Sequence, residues 1–346
     1  MMIMKKYKIE EALDDYCNQY LPNECGVSQK TIENYTYAFQ LFFTYMRDVK
    51  NINLEKLSLT DINKSNIIDF LDWAEKVRGC SVATRNNRLA TFCSFAKFLQ
   101  YRDVMNMVQW HQILSIKKKR CKGRKMNYIK YPGMKLILSL PDSKTMVGLR
   151  DLAFLSLMYD SAARVSEMIR LTPSCIHFDD ITTVKIFGKG SKVRLVPLDK
   201  EDVTILRRYM EANGLLQPEN NQRPLFPNRQ GLFMSRMAAW NIVQKYVTTA
   251  AKMKPELIPL NVGCHTFRHS KAMHMLEAGV QLHIIRDFLG HASIVTTEIY
   301  ARASEKMKQE ALSNVNQNVL PKGKTSWQKK KGLLALLLSY REKNEQ

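Results

Sequence analysis

Cys264-His265-Thr266-Phe267-Arg268-His269, then Leu289-Gly290-His291, then Glu298-Ile299-Tyr300: this is the stretch from which the rest of the chain is read. His265 and Arg268 are three residues apart, so on a helix they project from neighbouring positions of one face. The pattern predicts such a helix, with Thr266 as its N-cap and Gly279 as the C′ residue that closes it after Met275 and Leu276. An arginine and a histidine near a helix N-terminus, beside backbone N–H groups facing the same way, make a seat for a phosphate. A second histidine, His291, and a tyrosine, Tyr300, follow across the break at Gly290. An Arg/His cluster with one tyrosine hydroxyl points to nucleophilic attack on a phosphodiester.

Outward from that stretch, Met146–Tyr159 reads as a strongly apolar helix that breaks at Asp160-Ser161-Ala162, just before Arg164-Val165-Ser166-Glu167 and a short helix through Met168, Ile169 and Leu171. Thr183–Phe187 and Lys192–Pro197 alternate in strand fashion about Gly188-Lys189-Gly190, a hairpin by its glycines. Leu206–Ala212 and Ser235–Ala251 supply further helices. The N-terminal third shows no strand pattern. Ile32, Tyr35, Phe39, Phe42 and Phe43 recur at helical spacing in Thr31–Met46. A short helix from Thr60 or Asp61, a longer one over Lys64–Val77 and another over Ser81–Gln100 complete a module of four or five helices. On the polar side of the last of these stand Arg85, Asn86 and Arg88, a face that lies against a DNA groove or is simply solvated.

Lys117, Lys118, Lys119, Arg120, Lys122, Arg124 and Lys125 fall within Ile116–Lys125 with no acid among them. Such a block cannot pack in a core and is expected to be extended or disordered when free. It reads as a linker lying along a phosphate backbone, with a nuclear-import signal as the competing reading. Over all 346 residues, 53 Lys+Arg against 32 Asp+Glu give a formal net charge of +21, so a polyanion is the first partner to consider. Seven cysteines without a Cys-x-x-Cys argue for reduced thiols, with no disulfide framework and no zinc site. No apolar run follows Lys5, Lys6 and Lys8, and Leu333–Leu338 is too short to span a bilayer. The expectation is a soluble cytoplasmic, nucleoid-associated protein with no membrane partner.

His265-x-x-Arg268, Leu289-Gly290-His291 and Tyr300 resemble the C-terminal half of the tyrosine recombinase, or phage integrase, family, above all its Xer-like members. Arg164, followed by Val165-Ser166-Glu167, matches the family's first arginine, and Lys189 between two glycines matches its lysine. The resemblance runs from about Thr31 to Arg302. It implies a mainly α, two-domain DNA clamp: an N-terminal helical core-binding (SAM-like) domain and a C-terminal mixed α/β catalytic domain with a small antiparallel sheet. The boundaries expected are 1–115 for the helical domain, 116–126 for the basic linker, 127–318 for the catalytic domain and 319–346 for a tail.

The implied site is Arg164, Lys189, His265, Arg268, His291 and Tyr300, with Glu167 orienting Lys189 or Arg164 from behind. Tyr300 is the nucleophile that forms a 3′-phosphotyrosyl link. Arg164 and Arg268 clamp the non-bridging oxygens, and Lys189, with Lys192 as its rival, is the acid for the leaving 5′ oxygen. His265 serves as general base or phosphate donor, His291 as a further donor, and His269 is expected to pack its helix. Arg85, Asn86, Arg88, Lys117, Lys118, Lys119 and Arg120 are the candidate DNA contacts. Neither a metal nor another cofactor is expected.

One departure from the family is Ala162-Ala163, where glycine is usual before the first arginine, which leaves the shape of that loop open. The implied partners are double-stranded recombination sites, held by a homotetramer in which the apolar stretch Trp327–Tyr340 docks on a neighbour or on its own domain. Integration, excision, transposition and dimer resolution all fit. The rivals are a type IB topoisomerase-like relaxation activity and a catalytically silent DNA-binding regulator.

Overall fold

The computed structural model describes residues 8–121, 126–188, 192–291 and 297–300. Its contacts divide the chain into two compact units, Met1–Arg124 and Lys125–Gln346. Lys189 and the stretch 301–346, which holds the apolar tail, lie outside the described residues.

In the first unit, α1 (Ile9–Asp14) runs into a π-helical segment, Asp15–Glu24, followed by α2 (Gln29–Asp48), α3 (Lys64–Lys76), α4 (Val82–Leu99) and α5 (Met107–Leu114). The short helix expected from Thr60 or Asp61 is a single 3₁₀ turn, Leu59–Asp61. Side-chain caps set two starts: Asn63 Oδ1 accepts from Asn66 N (3.0 Å) and Ser81 Oγ from Thr84 N (3.2 Å). Aromatic rings build the core. Phe39 stands edge-on to Phe92 and Phe95 at 5.3 and 5.1 Å, and Tyr16 meets Phe95 at 5.0 Å. Each ring so buried contributes roughly 1.5–3 kcal/mol.

α4 crosses this core with almost every side covered, and one consequence corrects the sequence reading. Arg85, expected on a groove-facing surface, is buried, with Nε 3.7 Å from Glu75. Arg88 is half-buried and donates to Cys80 Sγ (3.1 Å). Asn86 Oδ1 accepts from the Lys119 backbone N–H at 3.1 Å, and its amide donates to the Lys119 carbonyl at 2.8 Å. The described part of the basic stretch, 116–121, has no helix or strand and is tethered at Lys119. Lys119 Nζ also reaches Glu75 (2.8 Å) and Asp72 (3.3 Å), while Lys117, Lys118 and Arg120 are exposed.

The second unit contains α6 (Tyr131–Ser139), α7 (Met146–Asp160), α8 (Val165–Met168), β1 (Ile176–His177), β2 (Thr183–Phe187), β3 (Val193–Pro197), α9 (Lys200–Ala212), α10 (Arg236–Met253), α11 (Cys264–Glu277) and α12 (Leu282–Leu289). The strands form an antiparallel meander in order β1-β2-β3, with Val184 opposite Val196 and Ile186 opposite Arg194. Val184, Ile186 and Val196 face the core, whereas Phe187, Val193 and Leu195 face outward, the alternation of a sheet covered on one side. α7 is buried nearly all round, which explains its continuous apolar run. Among the described residues no helix is long and apolar enough to cross a membrane.

Candidate active site

Three segments carry the site, and one buried carboxylate ties two of them together. Asp160, at the end of α7, accepts from Lys271 Nζ on α11 (2.6 Å) and from the Asp199 backbone N–H just after β3 (2.8 Å). The chain then turns through Ala162, whose φ of +47° is a left-handed conformation that alanine adopts only under constraint. That constraint is visible: Ala162 is fully buried and its carbonyl accepts from Arg268 Nη1 (2.8 Å). The loop keeps the left-handed turn expected of glycine, and an arginine holds it there.

Arg164 caps α8. Glu167 reaches back to accept from the Arg164 backbone N–H (2.8 Å) and from Arg164 Nη1 (2.8 Å). Its second guanidinium partner was not anticipated: Arg194 on β3, Nη2 to Oε2 at 2.7 Å. Burial alone would raise the Glu167 carboxyl, but the hydrogen bonds from Arg194 and Arg164 outweigh it and hold the pKa below its usual range.

α11 starts at Cys264, with Gly263 as N-cap; Thr266, expected in that place, instead sits inside the first turn and accepts from the Gly263 N–H (3.0 Å). Gly279 has φ +86°, the left-handed close that the sequence predicts. Arg268 is buried, its Nη1 and Nη2 held by the carbonyls of Ala162 and Leu289 (2.8 and 2.6 Å). Burial first, then the neighbouring charges of Arg164 and Arg194, lower its pKa to about 10, so it stays cationic at neutral pH.

α12 ends at Gly290 (φ +64°), which delivers His291. His291 Nδ1 lies 3.0 Å from Thr297 Oγ1, and burial, with Arg268, Arg164 and Arg194, lowers its pKa to about 4. Arg164, Lys192, Arg194, Gly290 and His291 line a cavity of about 370 Å³.

Tyr300 is buried in a small satellite core with Ala162, Met273, Leu276, Ile285 and Leu289. Its hydroxyl is 3.0 Å from Nδ1 of His269, the residue expected only to pack the helix. His265, one turn earlier, is exposed, so the histidine at the Tyr300 hydroxyl is not the one anticipated. Both rings have lowered pKa values: His265 by desolvation and then Arg268, Arg164 and Arg236, His269 by burial and then His265 and Arg268. Burial raises Tyr300, opposed by the charges of Arg268 and Arg164. Arg194 was the residue missed, and His269 was named but given only a packing role. The Lys192–Pro197 alternation already placed Arg194 on the same strand face as Val196, and i,i+4 spacing already put His269 one turn from His265. Among the described residues no group of three or more His, Cys, Asp or Glu is placed to hold a metal ion.

One unit is helical among its described residues, and the other gathers arginines, histidines and a tyrosine beside a three-stranded meander. The sequence pattern of the Phage integrase family matches residues 133–307, and that of its N-terminal SAM-like domain matches residues 13–103. The chain therefore belongs to the phage integrase family, the tyrosine recombinases, and is a site-specific DNA strand transferase. It is 31% identical over 300 residues to the tyrosine recombinase XerD of Oceanobacillus iheyensis, covering 86% of this chain and 95% of that one. XerD of Listeria innocua is 29% identical over 302 residues, with 86% and 95% covered. In fold it is similar to the XerH recombinase bound to difH in a post-cleavage complex (TM-score 0.65, 21% identity, 87% and 83% covered) and to the Tn1549 transposon integrase with a circular-intermediate DNA (0.67, 14%, 88% and 99%).

Proposed function

We propose that this recombinase cuts one DNA strand at a time by attack of Tyr300 on the scissile phosphorus. The Tyr300 oxygen–phosphorus bond forms and the bond to the 5′ oxygen breaks, leaving a 3′-phosphotyrosyl ester and a free 5′-hydroxyl. The Tyr300 proton passes to His269 Nδ1, which lowered basicity keeps unprotonated and ready to accept. Lys189, assigned from the sequence alone, gives a proton to the leaving oxygen. Arg164 and Arg268 take the non-bridging oxygens, and His265 and the neutral His291 donate to them. Attack by the 5′-hydroxyl of a second strand reverses the chemistry and completes exchange. The ester stores the bond energy, so the scheme needs no ATP, and guanidinium groups supply the positive charge.

The observation that carries this reading is the 3.0 Å contact between Tyr300 Oη and His269 Nδ1, within the field of Arg268 and Arg164. DNA engagement is assigned to the helical unit with Lys117, Lys118 and Arg120, on paired recombination sites held by a homotetramer in the nucleoid. The tail at 319–346 is assigned to docking between protomers. The test is a nicked duplex cut from the DNA flanking the native gene: the wild-type chain is expected to be trapped as a covalent protein–DNA band and Tyr300→Phe to give none. A band that survives in Tyr300→Phe would overturn the assignment.

A further inference from the structure

We infer that Arg194 is a positioning residue for strand cleavage: by taking half of the Glu167 carboxylate, it leaves the Arg164 guanidinium charged toward the scissile phosphate. The inference rests on the proposed role of Arg164 as a phosphate ligand. Arg194 lies on the core face of β3, opposite Ile186, and its side chain is only 10% exposed. Its Nη2 holds Glu167 Oε2 at 2.7 Å, while Arg164 Nη1 holds Oε1 at 2.8 Å. One carboxylate is thus shared by two guanidinium groups.

The same side chain touches the segment that bears His291. A Cβ added at Gly290 would lie 3.1 Å from both Cδ and Nη1 of Arg194, so a glycine is what allows the arginine to lie against that turn. Gly188 lies close by on the hairpin, where a Cβ would sit 3.8 Å from Arg194 Nη1 and Glu167 Oε1. Among the described residues Arg194 Nε is buried without a hydrogen-bond partner, a cost borne for the sake of where the guanidinium stands. A packing role alone would be met more cheaply by an apolar side chain, since an ion pair at this depth gains little over one.

Charge decides what the arrangement does. With the histidines neutral, Arg164, Arg194 and Arg268 against Glu167 leave two net positive charges. A phosphodiester carries one negative charge and the pentacoordinate phosphorane two, so a positive charge lost from this cluster is felt more in the transition state than in the bound substrate. Without Arg194, Glu167 would cancel Arg164 and the surplus would fall to one. The loss therefore belongs to the cleavage step, with DNA affinity nearly unchanged.

The experiment measures single-turnover covalent trapping of the full chain on the nicked flanking duplex at saturating protein, with folding checked by thermal melting. Arg194→Met is expected to slow cleavage by about tenfold or more. Removing the now unshared carboxylate in Glu167→Gln/Arg194→Met is expected to recover much of that loss, because the surplus returns to two; a purely structural role would make the double variant worse. On a methylphosphonate linkage, whose transition state carries one charge less, the Arg194→Met defect is expected to shrink. Arg194→Lys, which keeps the charge, is expected to stay close to wild type and covers the case in which Arg194→Met does not fold. The inference is overturned by a folded Arg194→Met that cleaves within about twofold of wild type, by a double variant no faster than the single, or by a folded Arg194→Lys that has lost activity. A wild-type chain that forms no covalent complex would instead sink the reading of Tyr300, leaving Arg194 a separate question.

Discussion

Arg85 on α4 and Arg268 on α11 are buried to the same degree, each 4% exposed, yet the two units use them in opposite ways. Arg85 stands 3.7 Å from the Glu75 carboxylate and bonds the neighbouring Asn86. Its charge is answered inside the fold. Among the described residues Arg268 has no carboxylate at hydrogen-bond distance; two main-chain carbonyls hold it, and burial, then the charges of Arg164 and Arg194, lower its pKa. An uncancelled cation inside a protein is costly unless something anionic arrives to meet it. The first unit uses its arginine in its own architecture; under the proposed function the second keeps one for a phosphate.

The largest effect expected from this contrast comes from Arg268→Gln, which should lower single-turnover cleavage by roughly 10²–10³. Arg85→Met should leave the cleavage rate within about twofold and lower stability in urea by about 1–3 kcal/mol, the loss limited because Glu75 keeps Lys119 at 2.8 Å. If Arg85→Met slowed cleavage as much as Arg268→Gln, the distinction between the two arginines would collapse, and Arg85 would return to the DNA-contacting surface first read from the sequence.

Periodicity made α2, α3 and the β2–β3 pair legible, because a single buried face leaves a repeating signature, whereas α4 and α7 were read from the length and density of their apolar runs. The segment Ile9–Glu24 and the helices α5, α6 and α12 went unnoticed, being short or mixed in composition. At the site, Arg164, Arg268, His291 and Tyr300 could be named from motif order, whereas contacts such as Arg194–Glu167 join residues 27 apart in sequence and depend on strand register. Whether Arg85 faces a groove or a core is a matter of α4's rotation, and a helix covered on most sides has no periodicity from which to read it. The Ala162 turn shows the reverse: its sequence argued against a left-handed turn, and a tertiary hydrogen bond from Arg268 prevailed.

A sharper form of the same contrast concerns His291, whose pKa falls from 6.5 to about 4 through burial and then the charges of Arg268, Arg164 and Arg194. Unfolded, it binds more protons than folded between those values, so stability it contributes is complete above about pH 6.5 and is lost as pH falls toward 4. Thermal melts should therefore decline across that window, less steeply for His291→Asn than for wild type. Glu167 acts in the same direction but further down, because its folded pKa lies below 4.5. Equal slopes for the two proteins would mean that the arginine cluster does not weigh on this histidine.

The smallest expected effect separates neighbours in the basic stretch. Lys119 is occupied by Glu75 and Asp72 and pinned through Asn86, whereas Lys118 beside it is exposed with no ion pair among the described residues. A lysine that neutralises a phosphate releases a counterion, and its removal lowers the slope of log affinity against log salt by about one. Lys118→Ala should show that drop, and Lys119→Ala little of it. Instead, Lys119→Ala should loosen the stretch from α3 and α4, weakening affinity at every salt concentration without changing the slope. If both substitutions reduce the slope alike, DNA must pull Lys119 away from its two carboxylates. The segment would then be held by the first unit only until a phosphate backbone competes for it.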